Sequence, residues 1–187
     1  MHDATIARSE LIVGGQKSGK SVRAETLAHH WLAANEKHRA KLIATGTAWD
    51  DEMQARIARH QRARAVRVPG LETVEEPRQL SAVLTQHSHA HTLLVVDCLT
   101  LWLTHWRMPL QGPAQAAPIQ ALCDTLAQLP GPVVLVSNEI GLGVIPMGRE
   151  VRAFVDELGA LNQRVAAVCE RVTLMAAGLP LTLKERP

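Results

Sequence analysis

Residues 14–21 read GGQKSGKS, which satisfies G-x-x-x-x-G-K-[ST]. The apolar run Leu11-Ile12-Val13 comes just before it, and a stretch of helical period begins at Ser21. This order commits the chain to a strand, a tight loop and a helix. Glycines let the loop curl so that several backbone N–H groups point at one anion, and the helix N-terminus adds a favourable dipole. Gly14, Gly15, Gln16, Lys17, Ser18 and Gly19 form that cradle. Lys20 is placed to reach the β- and γ-phosphates of a nucleotide, and the Ser21 hydroxyl to ligate Mg²⁺.

Further along, strand-sized apolar runs alternate with helical stretches. Residues 11–13, 41–44, 93–96, 133–136 and 172–176 read as strands, and 21–34, 50–64, 77–86, 114–128 and 149–170 as helices. Most of the strands are apolar at successive positions, as strands covered on both faces are. Residues 180–184 suit a last strand paired antiparallel. The alternation predicts a three-layer α/β fold with a mainly parallel sheet. The 187 residues suit one domain, here residues 11–187 after an extension over 1–10. Residues 108–118, with three Pro and one Gly, read as a surface loop.

Composition narrows the function classes. Lys plus Arg number 20 against 18 Asp plus Glu, which argues against a nucleic-acid binder. One Phe, four Trp and no Tyr leave little material for base stacking. Cys98, Cys123 and Cys169 match no metal-ligand spacing and read as free thiols of a reducing compartment. Residues 1–10 lack the apolar segment of a signal peptide, and no apolar run is long enough for a membrane span. The expectation is a cytoplasmic protein.

A phosphate-loop fold needs a carboxylate at the end of a buried strand. Leu93-Leu94-Val95-Val96-Asp97 supplies it, placing Asp97 to hold Mg²⁺ directly or through water. A cap for the next helix is the competing role, and the phosphate loop favours the metal.

Thr47-Ala48-Trp49-Asp50 has the form of a capping box opening the helix at residue 50. On this helix Met53 and Ile57 form an apolar stripe, and Arg56 and His60 share a neighbouring face. Arg59, Arg62, Arg64 and Arg67 surround them with positive charge. Nearby guanidiniums hold an imidazole neutral, as a nucleophile aimed at a phosphate requires. Spacing alone favours a solvated basic face carrying an incidental histidine. His87, His89 and His91 read as loop residues, and His29 and His30 as surface ones.

Six blocks resemble the bifunctional adenosylcobinamide kinase / adenosylcobinamide-phosphate guanylyltransferase family. They are GGQKSGKS (14–21), IATGTAWDDEMQARIARH (43–60), TVEEP (73–77), VDCLTLWL (96–103), VSNEIGLGVIP (136–146) and LGALNQRVA (158–166). The likeness runs from Leu11 to Lys184, and the second and fifth blocks are the specific ones. It implies a RecA-like P-loop fold and a homotrimer. It also implies covalent guanylylation of a histidine, which maps onto His60 and overturns the bland reading of that residue. Nucleotide contacts map onto residues 14–21, onto Ala44, Thr45 and Gly46, onto Gln61, Arg62, Ala63 and Arg64, and onto Glu75 and Asp97. Lys17 stands where the family usually has Arg, and the interval from His60 to TVEEP is longer than usual, which leaves Glu72 as a rival to Glu75.

The implied reactions use ATP or GTP with Mg²⁺, and adenosylcobinamide and adenosylcobinamide phosphate as acceptors. Asn138, Glu139, Gly141 and Gly143 follow a strand and are expected at the corrinoid or a subunit contact. Two rivals remain at this stage: a single-activity P-loop kinase for another small molecule, and a GTP-binding switch. The switch is weakened by the lack of a guanine-reading N-K-x-D motif.

Overall fold

The computed structural model describes residues 6–48, 50–109 and 112–185, without the side chains of Met53, Arg56 and His60. One seven-stranded sheet organises them. Its strands are β1 (Ser9–Gly14), β2 (Arg39–Ala44), β3 (Leu71–Glu75), β4 (Thr92–Asp97), β5 (Val133–Asn138), β6 (Arg171–Ala176) and β7 (Leu179–Glu185). They lie in the order β3-β2-β4-β5-β1-β6-β7. Every neighbouring pair is parallel except β6 and β7, which form an antiparallel hairpin.

Alternation along the strands sorts the core into two clusters. Ile12, Leu42, Val95 and Val134 face α1 (Lys20–Ala34), whose Ala24, Leu27 and Ala28 cover them. Val68, which follows α2 (Asp51–Arg67), joins that cluster. Leu11, Ile43, Leu94 and Leu135 point the other way. There they meet Leu84 of α3 (Leu80–His87), Trp102 of α4 (Leu99–Arg107), Leu122 of α5 (Ile119–Gln128) and Leu161 of α6 (Arg149–Val168). The result is the expected three-layer, mainly parallel fold.

The structure departs from the sequence expectation in several places. β3 is an added edge strand, and α4 is an added helix. Residues 114–118 are not helical, because Pro118 stands immediately before the first residue of α5 and Pro is tolerated only at a helix start. The expected capping box does not form. α2 opens at Asp51, with Gln54 N–H closing on the Asp50 carbonyl, and the Thr47 hydroxyl finds no hydrogen-bond partner among the described residues. Trp49 and residues 110 and 111 of the anticipated loop lie outside the described residues. β1 begins at Ser9, inside the stretch read as an extension.

Strand β1 leads into α1 on one face, while its neighbour β5 leads into α6 on the other. Chains diverging from adjacent parallel strands open a crevice at the carboxyl edge, where such sheets bind ligands. The phosphate loop lies there.

Candidate nucleotide site

The loop between β1 and α1 is shaped by its glycines. Gly14 has φ +154°, and a Cβ there would lie 2.4 Å from the Met175 carbonyl oxygen and 2.7 Å from Ser18 Oγ. Gly19 caps α1 at φ +102°, and Lys17 between them is also left-handed, at φ +59°. The β6–β7 turn braces this curve, with Gly178 N–H donating to the Ser18 carbonyl at 3.0 Å. Lys20 is buried, and its ammonium donates to the Gly15 carbonyl of its own loop at 2.7 Å. Burial pulls that ammonium below the usual lysine range, with Cys98 and Asp97 opposing the shift. The position suits a cation that exchanges a backbone carbonyl for phosphate oxygens.

Ser21 Oγ donates to Asp97 Oδ2 at 3.1 Å. The pair joins the first turn of α1 to the end of β4, across the intervening β5. A hydroxyl and a carboxylate side by side are hard oxygen donors of the kind Mg²⁺ takes, leaving its other positions to water and phosphate. Among the described residues no group of three or more His, Cys, Asp or Glu side chains could hold a metal without such help.

Thr45 ties the ends of β2 and β4 together. Its hydroxyl donates to the Cys98 carbonyl at 2.7 Å and accepts from Cys98 N–H at 2.9 Å, while Thr45 N–H donates to the Asp97 carbonyl at 3.2 Å. The Thr45 carbonyl lies 2.9 Å from His105 Nε2. A fully buried hydroxyl engaged twice in this way is a brace, so Thr45 offers the edge its position rather than its side chain. Ala44 and Gly46 flank it, and a Cβ on Gly46 would approach Leu101 Cδ1 at 3.0 Å. Burial holds His105 below the ordinary histidine range, opposed by the Thr45 carbonyl, and pushes the Cys98 thiol up to about 12.

Position 60 falls within α2, and the His60 side chain lies outside the description. Gln61, Arg62 and Ala63 are exposed, and Arg62 Nε returns to the Ala58 carbonyl at 3.3 Å. Arg64 is different. It is buried, with Nε 3.5 Å from Glu25 Oε1 of α1, and Arg67 Nη2 lies 2.8 Å from Glu25 Oε2. Thus Arg64 is directed to a carboxylate of the neighbouring helix.

Glu75 ends β3 in register with Ala44, at the same edge as the phosphate loop. Glu72 pairs with Lys41 at 3.1 Å, farther from that edge. The bend after Glu75 is fixed by Glu76 Oε1, which accepts Arg78 N–H and Gln79 N–H at 2.8 and 2.7 Å. Trp102 Nε1 donates to the Arg78 carbonyl at 2.9 Å, and the Arg78 guanidinium lies 4.3 Å over the Trp106 ring. Beyond β5, Glu139 N–H donates to the Gly14 carbonyl at 3.0 Å, so that loop touches the phosphate loop. A cavity of about 450 Å³ opens beside it, lined by Ile140, Val144, Ile145, Arg152, Asp156 and Gln163. Leu142, Val144, Ile145 and Met147 are strongly exposed there. Sequence reasoning did not find Glu25, Arg78, Trp102, Trp106 or His105, whose contacts all reach across distant segments.

Comparisons with known proteins agree with this arrangement. A family model described as cobinamide kinase / cobinamide phosphate guanyltransferase matches residues 10–183. A Pseudomonas aeruginosa protein named bifunctional adenosylcobalamin biosynthesis protein CobP is 46% identical over 178 residues, covering 95% of this chain and 98% of that protein. The proteins named bifunctional adenosylcobalamin biosynthesis protein CobU from Salmonella typhimurium and Escherichia coli are 34% and 31% identical, each over 93% of this chain and 98% of their own length. With its phosphate loop, its strand-end carboxylate and this match along almost its whole length, the chain belongs to the cobinamide kinase / cobinamide phosphate guanyltransferase family.

Proposed function

We propose that this chain carries both activities of its family on one nucleotide site. In the kinase step the hydroxyl on the aminopropanol arm of adenosylcobinamide attacks the γ-phosphate of ATP or GTP. The hydroxyl loses its proton, the β–γ bridging bond breaks, and the nucleoside diphosphate leaves. Lys20 and the loop amides stabilise charge on the transferred phosphoryl group. Ser21 and Asp97 would hold Mg²⁺, which supplies neutralisation of the phosphate charge.

In the second step His60 attacks the α-phosphate of GTP, forming a P–N bond and releasing pyrophosphate. The phosphate of adenosylcobinamide phosphate then displaces His60, giving adenosylcobinamide-GDP. A covalent intermediate divides one difficult exchange into two easier ones. Glu75 is the better placed acid for the nucleotide, since Glu72 is paired with Lys41. The chain acts as a homotrimer in this reading, with the exposed apolar segment around Leu142, Val144 and Ile145 available for subunit contact.

The observation that carries the proposal is the Ser21–Asp97 pair beside a braced phosphate loop, within a family match along nearly the whole chain. The deciding experiment incubates the protein with α-labelled GTP. Wild type is expected to retain label in an acid-labile, alkali-stable bond, as a phosphoramidate does. His60→Ala is expected to lose the label and keep measurable γ-phosphoryl transfer. Label that persists in His60→Ala places the nucleophile elsewhere.

A further inference from the structure

Glu25 lies one helical turn after Ser21 on α1, with its carboxylate almost wholly buried. Carboxylates avoid such sites unless cations accompany them. Among the described residues, the cations paired with it are Arg64 and Arg67, from the last turn of α2. Among the positions whose side chains are described, Asp51, Glu52, Gln54, Ala55 and Arg59 are exposed, Ile57 and Ala58 are half-buried, and Arg64 and Val68 are buried. The ion pairs to Glu25 anchor the end of the helix.

Topology gives that anchor a direction. α2 starts at the carboxyl edge, after β2, and ends where the chain turns back to enter β3. α1 likewise starts at the carboxyl edge, after β1. One turn from Arg64 toward that edge is position 60, and one turn from Glu25 toward the same edge is Ser21. The ion pair thus matches the level of the two helices, and Arg67 adds a second contact to the same carboxylate.

We propose that Glu25 is a positioning residue for guanylyl transfer, which it serves by holding the end of α2 through Arg64 and Arg67. The inference rests on the reading of His60 as the nucleophile. Phosphoryl transfer from the γ-position passes through no protein nucleophile, so the two activities should respond differently to a shift of His60.

The test uses the full chain with Glu25→Gln, Arg67→Gln and Arg67→Lys. Single-turnover formation of the GMP adduct is expected to fall about 10–100-fold in Glu25→Gln, while kinase turnover and its KM for GTP stay within about threefold. Arg67→Lys, which keeps the charge, should recover more adduct formation than Arg67→Gln. Equal loss of both activities together with a fall in melting temperature would make Glu25 a fold residue and overturn the inference, as would an unchanged adduct rate. A wild-type chain that takes no label refutes the nucleophile reading instead. Amide exchange then decides the tie: faster exchange confined to residues 60–67 in Glu25→Gln supports it, and unchanged exchange overturns it.

Discussion

Gly14→Ala and Gly15→Ala change adjacent residues of one motif, yet the structure assigns them opposite outcomes. At position 14 an added Cβ would stand 2.4 Å from the Met175 carbonyl oxygen, a contact that has to be relieved by moving backbone. That backbone is β6, paired with β1 on one side and β7 on the other, so it yields poorly. Overpacking of this kind costs about 1–3 kcal/mol. The φ of +154° adds about 1–3 kcal/mol for a residue with a side chain. The sum, about 2–6 kcal/mol, lowers the melting temperature by roughly 5–20 °C in a chain of this size. At position 15 nothing lies within 4 Å and the backbone is not left-handed, so alanine should be neutral or slightly stabilising through the unfolded chain. Calorimetry of both variants without nucleotide isolates these terms from phosphate binding. A Gly14→Ala melting temperature within about 2 °C of wild type would refute the argument that this glycine is required by the approach of β6.

Lys20→Ala should cut γ-phosphoryl transfer by about 10²–10³-fold with the fold intact, measured by steady-state kinase turnover. Asp97→Asn should raise the Mg²⁺ concentration needed for half-maximal turnover, since an amide is a poorer ligand for a hard cation; an unchanged Mg²⁺ titration would assign Asp97 to the strand end alone. The Cys98 and Cys169 thiols, raised by burial from the ordinary 9.0 to about 12, should resist alkylation at pH 8 until the chain is unfolded. Because the folded values exceed the unfolded one, the stability these neutral thiols contribute is whole below about pH 9 and is lost as pH rises toward 12, which urea titrations across that range will read.

Features with a local signature were legible before the structure. The phosphate loop needs only a fixed spacing of glycines, and β4 and β5 are unbroken apolar runs because both faces are covered. β3 escaped because an edge strand of five residues, LETVE, keeps much of its surface in water and so shows no apolar run. α4 escaped because LTLWLTHWR begins with alternating apolar residues, a pattern that suits a strand as well as a helix. At the site, Asp97 was readable from its place at a strand end. The double use of the Thr45 hydroxyl and the Glu25 tie were not, since each joins segments that only the fold brings together.

The brace on the phosphate loop has a consequence for the order of synthesis. β1 leaves the ribosome before its sheet partners β5 and β6, and Ser18 is held by Gly178 beyond both. A nascent chain that has exposed GGQKSGKS therefore lacks the strands on either side of it and the turn that holds its curve. Nucleotide therefore meets the finished curve of the loop only after Gly178 has emerged. A message truncated just before Gly178 would encode the whole motif, both helices of that face and six of the seven strands, and still yield a chain without the Ser18 brace.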